Sequence, residues 1–181
     1  GCVYSKDELE ELSLIFSKYN ITVFSDEIYF NTSQVKTTSL SNIYSKCIIG
    51  SSLSKDWASG GWRFGWMIFS EELNLLSKMM KSFGSILYSC PSEFLNFVAA
   101  EALTNNNLEH FEQQKYYFKK IADSVEKELE SSKIIHSNFE GAWYKWFDLK
   151  NYSDKLNKLN INDSQSLTNL LGEKIGLIVV P

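Results

Sequence analysis

Apolar positions first fall into a helical rhythm near the start of the chain. Leu9, Leu12, Ile15, Phe16 and Tyr19 recur on one face and predict an amphipathic helix. Ser5-Lys6-Asp7-Glu8 ahead of them matches a capping box, in which Ser5 and Glu8 satisfy each other's backbone N–H groups. Asn20 is placed to end that helix. The rhythm then changes. Ile21-Thr22-Val23-Phe24, Cys47-Ile48-Ile49-Gly50 and Phe64-Gly65-Trp66-Met67-Ile68-Phe69 are short apolar runs that predict strands. Strands alternating with amphipathic helices imply an α/β sheet covered on both faces. Too few residues separate the last two strands for a crossover helix, so nothing forces them to be parallel.

Helical spacing dominates residues 71–132. One segment, 71–83, puts Leu73, Leu76 and Met80 on a common face. A second, 92–103, follows Pro91, which the first turn of a helix tolerates. Asn105-Asn106-Asn107 breaks the pattern. Residues 108–129 then predict one long helix, with Phe111, Phe118, Ile121, Val125 and Leu129 inward and a solvated face of alternating Glu and Lys. Near residue 133 the character shifts. Residues 141–147 alternate as a strand does, 150–164 read as an exposed connection, and 166–174 as a short helix that Gly176 leads into a final strand. This divides the chain into part of a larger α/β domain, 1–132, and part of a small α+β domain, 133–181.

Composition narrows the function classes. Hydrophobic residues make up 44% of the 181 positions and aromatic ones 14%, enough for a core rich in large side chains. The 22 acidic and 18 basic residues are mixed, so no basic run points to nucleic acid or an anionic membrane. No apolar stretch reaches the roughly 20 residues of a membrane span, and residues 1–25 do not read as a signal peptide. Cys2, Cys47 and Cys90 form no C-x-x-C pair and read as reduced thiols. With only His110 and His136, a histidine-rich metal site is not expected. A cytoplasmic location is the default that follows.

The chemistry concentrates in two clusters, each just after an apolar run. One is Ser25-Asp26-Glu27-Ile28-Tyr29. The other is Ser51-Ser52-Leu53-Ser54-Lys55, followed by Gly60-Gly61-Trp62-Arg63-Phe64-Gly65-Trp66. A lysine there suits covalent bonding to a carbonyl, because a partly desolvated cationic pocket lowers an amine's pKa. An arginine among glycines suits a phosphate, which its planar fork meets at two oxygens. Taken singly, Lys55 reads as a surface lysine, Asp26 as a turn aspartate, Tyr29 as a core tyrosine and each glycine as a turn. Trp62, Trp66, Trp143 and Trp146 read as packing residues, with Trp143 a candidate border of a substrate pocket. Glu27 and Asp56 receive no chemical role.

The order Asp26-x-x-Tyr29, Ser52-x-x-Lys55, Gly61-x-Arg63-x-Gly65, with Gly141-Ala142-Trp143-Tyr144 later, resembles the class I/II, fold-type-I aminotransferases. The resemblance covers essentially the whole chain and about half of a typical member. It implies pyridoxal 5'-phosphate as cofactor, with Lys55 forming the Schiff base and moving protons. Asp26 would face the pyridine nitrogen, Tyr29 the 3-oxygen, and Ser52 and Arg63 the phosphate, while Gly60, Gly61 and Gly65 let backbone pass close by. It implies an amino acid and a 2-oxo acid as substrates, and a homodimer. It also implies parts outside the chain: a phosphate loop, a ring-stacking aromatic and an Asn-Pro-x-x-Gly motif ending at Gly1, and a carboxylate-binding arginine beyond Pro181. Because Arg63 is the single arginine, these residues alone are expected to turn over little or no substrate.

Other readings stay open at this point. Related fold-type-I enzymes perform β-elimination or cyclopropane formation with the same lysine, and a non-catalytic binding protein can be built on that fold. Ser52-x-x-Lys55 also satisfies the pattern of serine acyl-enzymes, but Lys36-Thr37-Thr38 is not their Lys-Thr-Gly and it precedes the serine. A helical interaction domain is disfavoured by the lack of sustained heptads in 108–129.

Overall fold

A computed structural model describes residues 1–105 and 108–181. Of the expected break at Asn105-Asn106-Asn107, the last two residues lie outside the described ones. Helix α1 (Lys6–Lys18) begins with the capping box intact: the Ser5 side chain accepts from the Glu8 N–H, and the Glu8 carboxylate accepts from the Ser5 N–H at 2.7 Å. It ends one residue earlier than expected, with Tyr19 as C-cap and Asn20 beyond it at φ 52°. Strands β1 (Val23–Asp26), β2 (Cys47–Ser52) and β3 (Gly65–Phe69) form one small mixed sheet in that order. β1 and β2 run parallel, with Asp26 opposite Gly50; β2 and β3 run antiparallel, with Ser52 opposite Gly65. Connection length decides both pairings. Residues 27–46 are long enough for a crossover, whereas 53–64 fold back without one.

Leu40, Tyr44, Cys47 and Ile49 form the buried core of this sheet, and Leu9, Phe16 and Val23 pack against it. Val23 faces the core while its neighbour Phe24 points the other way, as strand alternation requires. Tyr44, 6% exposed, donates its hydroxyl to the Ile21 carbonyl at 2.5 Å, which satisfies the buried phenol. This face is the better covered of the two, although Ile68, opposite Ile49 on β3, is 57% exposed. Phe24 (56% exposed) and Met67 (47%) on the opposite face remain open, against the expectation of two covered faces. Cys2, Cys47 and Cys90 are free thiols.

The expected helix at 71–83 is a single 3-10 turn, Glu71–Leu73, running into α2 (Asn74–Tyr88); Leu73 is buried but Met80 is exposed. α3 (Glu93–Thr104) starts after Ser92, with Pro91 just before it. α4 (Leu108–Leu129) is the long helix expected, but its inward stripe is rotated: Phe111, Phe118, Ala122 and Leu129 turn inward, whereas Ile121 (61% exposed) faces solvent and Val125 is exposed.

The segment beyond residue 133 departs most from the sequence pattern. β4 (Ile135–His136) pairs antiparallel with β5 (Phe147–Asp148), and this two-residue pairing replaces the expected strand over 141–147. Residues 141–144 form a turn instead. The presumed exposed connection contains α5 (Ser153–Lys158) and buries Ile161. α6 (Ser164–Ile175) is capped by Asp163 and stops at Gly176, whose φ of 70° suits a residue without Cβ. Residues 177–181 form no strand, because a strand exists by its ladder and no described strand pairs with them.

One seam positions the turn at 141–144. The Gly1 backbone nitrogen donates to the Gly141 carbonyl at 3.1 Å, Val3 N–H to Glu140 Oε2 at 2.8 Å, and Gln34 N–H to the Glu140 carbonyl at 2.6 Å. Lys145, its side chain 10% exposed, pairs with Glu126 of α4 at 2.6 Å.

Candidate active site

The parallel pairing of β1 with β2 puts their C-terminal ends at one edge of the sheet, where ligands bind in open α/β sheets. Asp26 ends β1 and Ser52 ends β2; Tyr29 and Lys55 each follow three residues later. The two clusters, far apart in sequence, therefore leave the sheet side by side. Lys55 Nζ stands 5.7 Å from the Tyr29 ring centre and 5.2 Å from that of Trp143. An ammonium over two aromatic faces is attracted by their quadrupoles. Trp143 meets Tyr29 edge-on at 5.0 Å and leans on Phe118 of α4 at 5.4 Å.

Trp143 and Tyr144 arrive through the turn at 141–144, and two features allow it. Gly141 lies against Ser33, and a Cβ there would stand 3.2 Å from Ser33 Cα. Ala142 takes a left-handed φ of 57°. Tyr29 donates its hydroxyl to Tyr144 at 3.5 Å, a long contact. Burial, with that bond, pushes the Tyr29 phenol well above its ordinary pKa, so it remains a donor throughout the physiological range. The same bond holds the Tyr144 phenol below its ordinary value, with Lys55 acting in the same direction.

Asp26 is exposed rather than buried, and its Oδ1 accepts from the Ile28 N–H at 3.3 Å. It lines two cavities: one of about 390 Å³ shared with Tyr29, Gly141 and Tyr144, and one of about 380 Å³ on the open sheet face shared with Gly50 and Trp66. Ser52 Oγ accepts from the Ser54 N–H at 3.0 Å, which leaves its own hydroxyl hydrogen to donate elsewhere. The loop 53–64 is closed by Leu53 N–H to Phe64 O and Ser59 N–H to Leu53 O, both at 3.2 Å. Arg63 lies two residues before Gly65, the ladder partner of Ser52, and is exposed at a left-handed φ of 57° with Nη1 donating to the Gly60 carbonyl at 2.9 Å. A non-glycine residue held there costs on the order of 1 kcal/mol, a strain that gathers at functional loops.

Of the glycines expected to bring backbone close, Gly65 does so: a Cβ on it would stand 3.1 Å from the Ser51 carbonyl and 3.3 Å from Ser52 Cβ. Gly60 meets Ser54 only at ordinary distance, and Gly61 has nothing within 4 Å. Trp62 (45% exposed) and Trp146 (73%) are not packing residues. Glu27 is structural, accepting from the Ser25 and Ser39 hydroxyls and the Leu40 N–H. Tyr144, which the sequence offers only as the last residue of Gly141-Ala142-Trp143-Tyr144 and in an alternating run, joins the site because its segment is a turn rather than a strand. Among the described residues no group of three His, Cys, Asp or Glu side chains could hold a metal ion.

The donor set fits pyridoxal phosphate. It holds an amine for an aldehyde, a carboxylate for a ring nitrogen, a phenol that stays protonated for a ring oxygen, and a hydroxyl and a guanidinium for a phosphate. The tight passage of Gly65 beside Ser52 leaves no room for a side chain where the end of β2 meets the start of β3.

Comparison with known proteins agrees with that fit. The family model described as aminotransferase class I and II matches residues 1–181. A probable aspartate aminotransferase of Methanocaldococcus jannaschii is 29% identical over 159 residues, covering 85% of this chain and 42% of that protein. The aromatic aminotransferase of Pyrococcus horikoshii OT3 superposes with a TM-score of 0.86 at 22% identity, over 99% of this chain and 47% of that one. The PLP-bound C–S lyase of Staphylococcus hominis shares the fold at a TM-score of 0.80 and 20% identity, over 98% and 44% of the two chains. The chain thus spans less than half the length of each of these proteins.

Proposed function

Since the chain belongs to the class I and II aminotransferases, we propose that it carries the lysine-bearing part of a pyridoxal-phosphate-dependent enzyme that moves an amino group from an amino acid to a 2-oxo acid. The observation that carries the reading is the meeting of Lys55 Nζ with the Tyr29 and Trp143 rings, at the sheet edge where Asp26 ends β1. Bound pyridoxal phosphate supplies an aldehyde and a protonated ring able to draw electrons from a substrate α-carbon. The chain supplies the rest. Lys55 offers Nζ for covalent attachment and then carries a proton to and from the substrate carbon. Asp26 keeps the ring nitrogen protonated. The Tyr29 hydroxyl, turning from its long contact with Tyr144, would donate to the ring oxygen, a role suited to a phenol that does not ionise at working pH. Ser52 and Arg63 bind the phosphate, the arginine by its two-toothed fork.

The same reading takes 1–132 as part of the cofactor-binding large domain and 133–181 as part of a small domain, with the seam at Glu140–Gly141 between them. It also includes a homodimer, which the apolar side chains left exposed on α2, such as Leu75, Ile86 and Tyr88, support. The reading also includes a cytoplasmic location; among the described residues no helix is long and apolar enough to cross a membrane.

The test is a trapping map. The complete gene product is incubated with pyridoxal phosphate, reduced with borohydride, digested, and the modified lysine located by mass spectrometry. Modification centred on Lys55 and abolished in Lys55→Ala is expected. Scattered surface modification with no preference for Lys55 refutes the cofactor assignment. Release of ammonia from a β-substituted amino acid without any 2-oxo acid acceptor would replace transamination by elimination.

A further inference from the structure

Asp56 follows Lys55 in sequence and has no part in the proposed chemistry, yet it is only 5% exposed. Burying a carboxylate is costly unless it is paired or hydrogen-bonded. Here burial pushes its pKa above the usual aspartate range, and the bond from Asn31 and the nearby His110 only partly offset that. The surroundings account for its retention. Asn31 Nδ2 donates to Asp56 Oδ2 at 2.7 Å, while Oδ1 has no hydrogen-bond partner among the described residues. The Asp56 backbone carbonyl accepts from Gln114 Nε2 at 2.8 Å and lies 2.9 Å from His110 Nε2. The next residue, Trp57, stacks on the His110 ring at 5.1 Å and 8°. Three elements meet on this one residue: the turn bearing Lys55, the turn bearing Tyr29, and α4.

Asn31 lies two residues after Tyr29, in a 3-10 turn pinned by Thr32 Oγ1 donating to the Tyr29 carbonyl at 2.9 Å. The Asn31–Asp56 bond therefore joins the residue next to Lys55 to the turn that sets the Tyr29 ring. From this geometry we infer that Asp56 is a positioning residue, which together with Asn31 locks the two turns so that the Lys55 amine stays over the Tyr29 phenol. Trp143 reaches Lys55 from the separate turn at 141–144, whereas the Asn31–Asp56 bond ties the Lys55 and Tyr29 turns to each other directly. α4 sets the height of the Lys55 turn through the Asp56 carbonyl, and the carboxylate sets its distance from Tyr29.

This inference rests on the reading of Lys55 as the lysine that takes the cofactor. Its test measures the share of borohydride-trapped pyridoxal phosphate found on Lys55, relative to the exposed Lys6 and Lys119, in the complete gene product. Parent, Asn31→Ala, Asn31→Asp and the exchanged pair Asn31→Asp/Asp56→Asn are compared, each with its thermal unfolding midpoint. Loss of the bond should lower the Lys55 share about tenfold, the factor that corresponds to about 1.4 kcal/mol of lost orientation. The exchanged pair keeps one amide facing one carboxylate and should restore the share to within about twofold, as coupling between contacting residues demands. A merely structural role lowers the unfolding midpoint but leaves the Lys55 share at the parental level, and that result overturns the proposal. Failure of the exchanged pair to restore what Asn31→Asp loses overturns it too. Should Asn31→Ala not fold, Asn31→Asp against the exchanged pair decides the matter. A parent with no preference for Lys55 overturns the cofactor reading itself, and this inference with it.

Discussion

Replacing Gly141 by alanine should loosen the candidate site without altering any group to which a chemical role is proposed. The added Cβ would stand 3.0 Å from Val3 Cγ2, 3.2 Å from Ser33 Cα and 3.5 Å from Ser33 Cβ. The valine methyl can swing aside. Ser33 cannot, because it is 4% exposed and its hydroxyl lies within hydrogen-bond distance of the carbonyls of both Val35 and Glu140. The turn must lift by a few tenths of an ångström, carrying Trp143 and Tyr144 away from Tyr29, which they meet at 5.0 and 6.0 Å. Overpacking costs about 1–3 kcal/mol and a weakened aromatic pair about 0.5–1.5 kcal/mol, against a gain of about 0.4–1 kcal/mol from a stiffer unfolded chain, for a net loss near 2 kcal/mol. In a chain of this length each kcal/mol moves the midpoint by about 2–4 °C, so thermal unfolding followed by circular dichroism should show a fall of about 4–8 °C. Gly84 in α2 and Gly172 in α6 are the controls. Nothing lies within 4 Å of a Cβ at either, and alanine at each should raise stability by about 0.5–1 kcal/mol. A Gly141→Ala protein that melts at or above the parent, while Gly84→Ala is stabilised, refutes the close approach and with it the account of how Trp143 reaches Lys55.

Three further outcomes are expected. Ser5→Ala removes the hydroxyl that accepts from the Glu8 N–H and should cost about 1 kcal/mol, read as a lower urea midpoint; an unchanged midpoint would mean that α1 frays at this end regardless. Tyr44→Phe removes the donor to the Ile21 carbonyl and should cost about 1 kcal/mol, less if water reaches that carbonyl; a loss above about 3 kcal/mol would contradict a single-bond role. For Asp56 the folded pKa is raised, so just above the ordinary aspartate value the folded state binds more protons than the unfolded one, and stability falls as pH rises through that window. Asp56→Asn, whose side-chain oxygen can still accept from Asn31, should lack that fall; urea midpoints at about pH 4 and pH 7 that change in parallel in both proteins would refute the assignment.

Much of the site could be read from the chain because its parts are local. Asp26-x-x-Tyr29 and Ser52-x-x-Lys55 are each a strand end followed by a turn, and the strands themselves show as apolar runs bounded by polar residues. The Ser5 capping box and the extent of α4 are equally local, since capping and helical period involve residues three or four apart. The rotation of α4 was not legible. Ile121 and Val125 satisfy the apolar period as well as Ala122 does, and only the presence of a neighbour decides which face turns inward. Nor was the open face of β1 and β3, because an apolar run in a strand records what the sheet can bury, not what covers it.

The sequence by itself determined the chemical inventory, the strand ends that present it, and the family to which it belongs, all carried by short-range patterns of residue type. Only the tertiary structure decided which distant residues meet there. Parallel register set Asp26 opposite Gly50, two residues before β2 ends and the Lys55 turn begins. The seam from Gly1 to Gly141 turned an apparent strand into the turn that brings Trp143 and Tyr144 to Tyr29. Asn31 found Asp56, and α4 found its carbonyl. Each of these contacts spans 20 residues or more of chain. No local propensity encodes such a contact, because its free energy arises only when packing brings both partners out of water together.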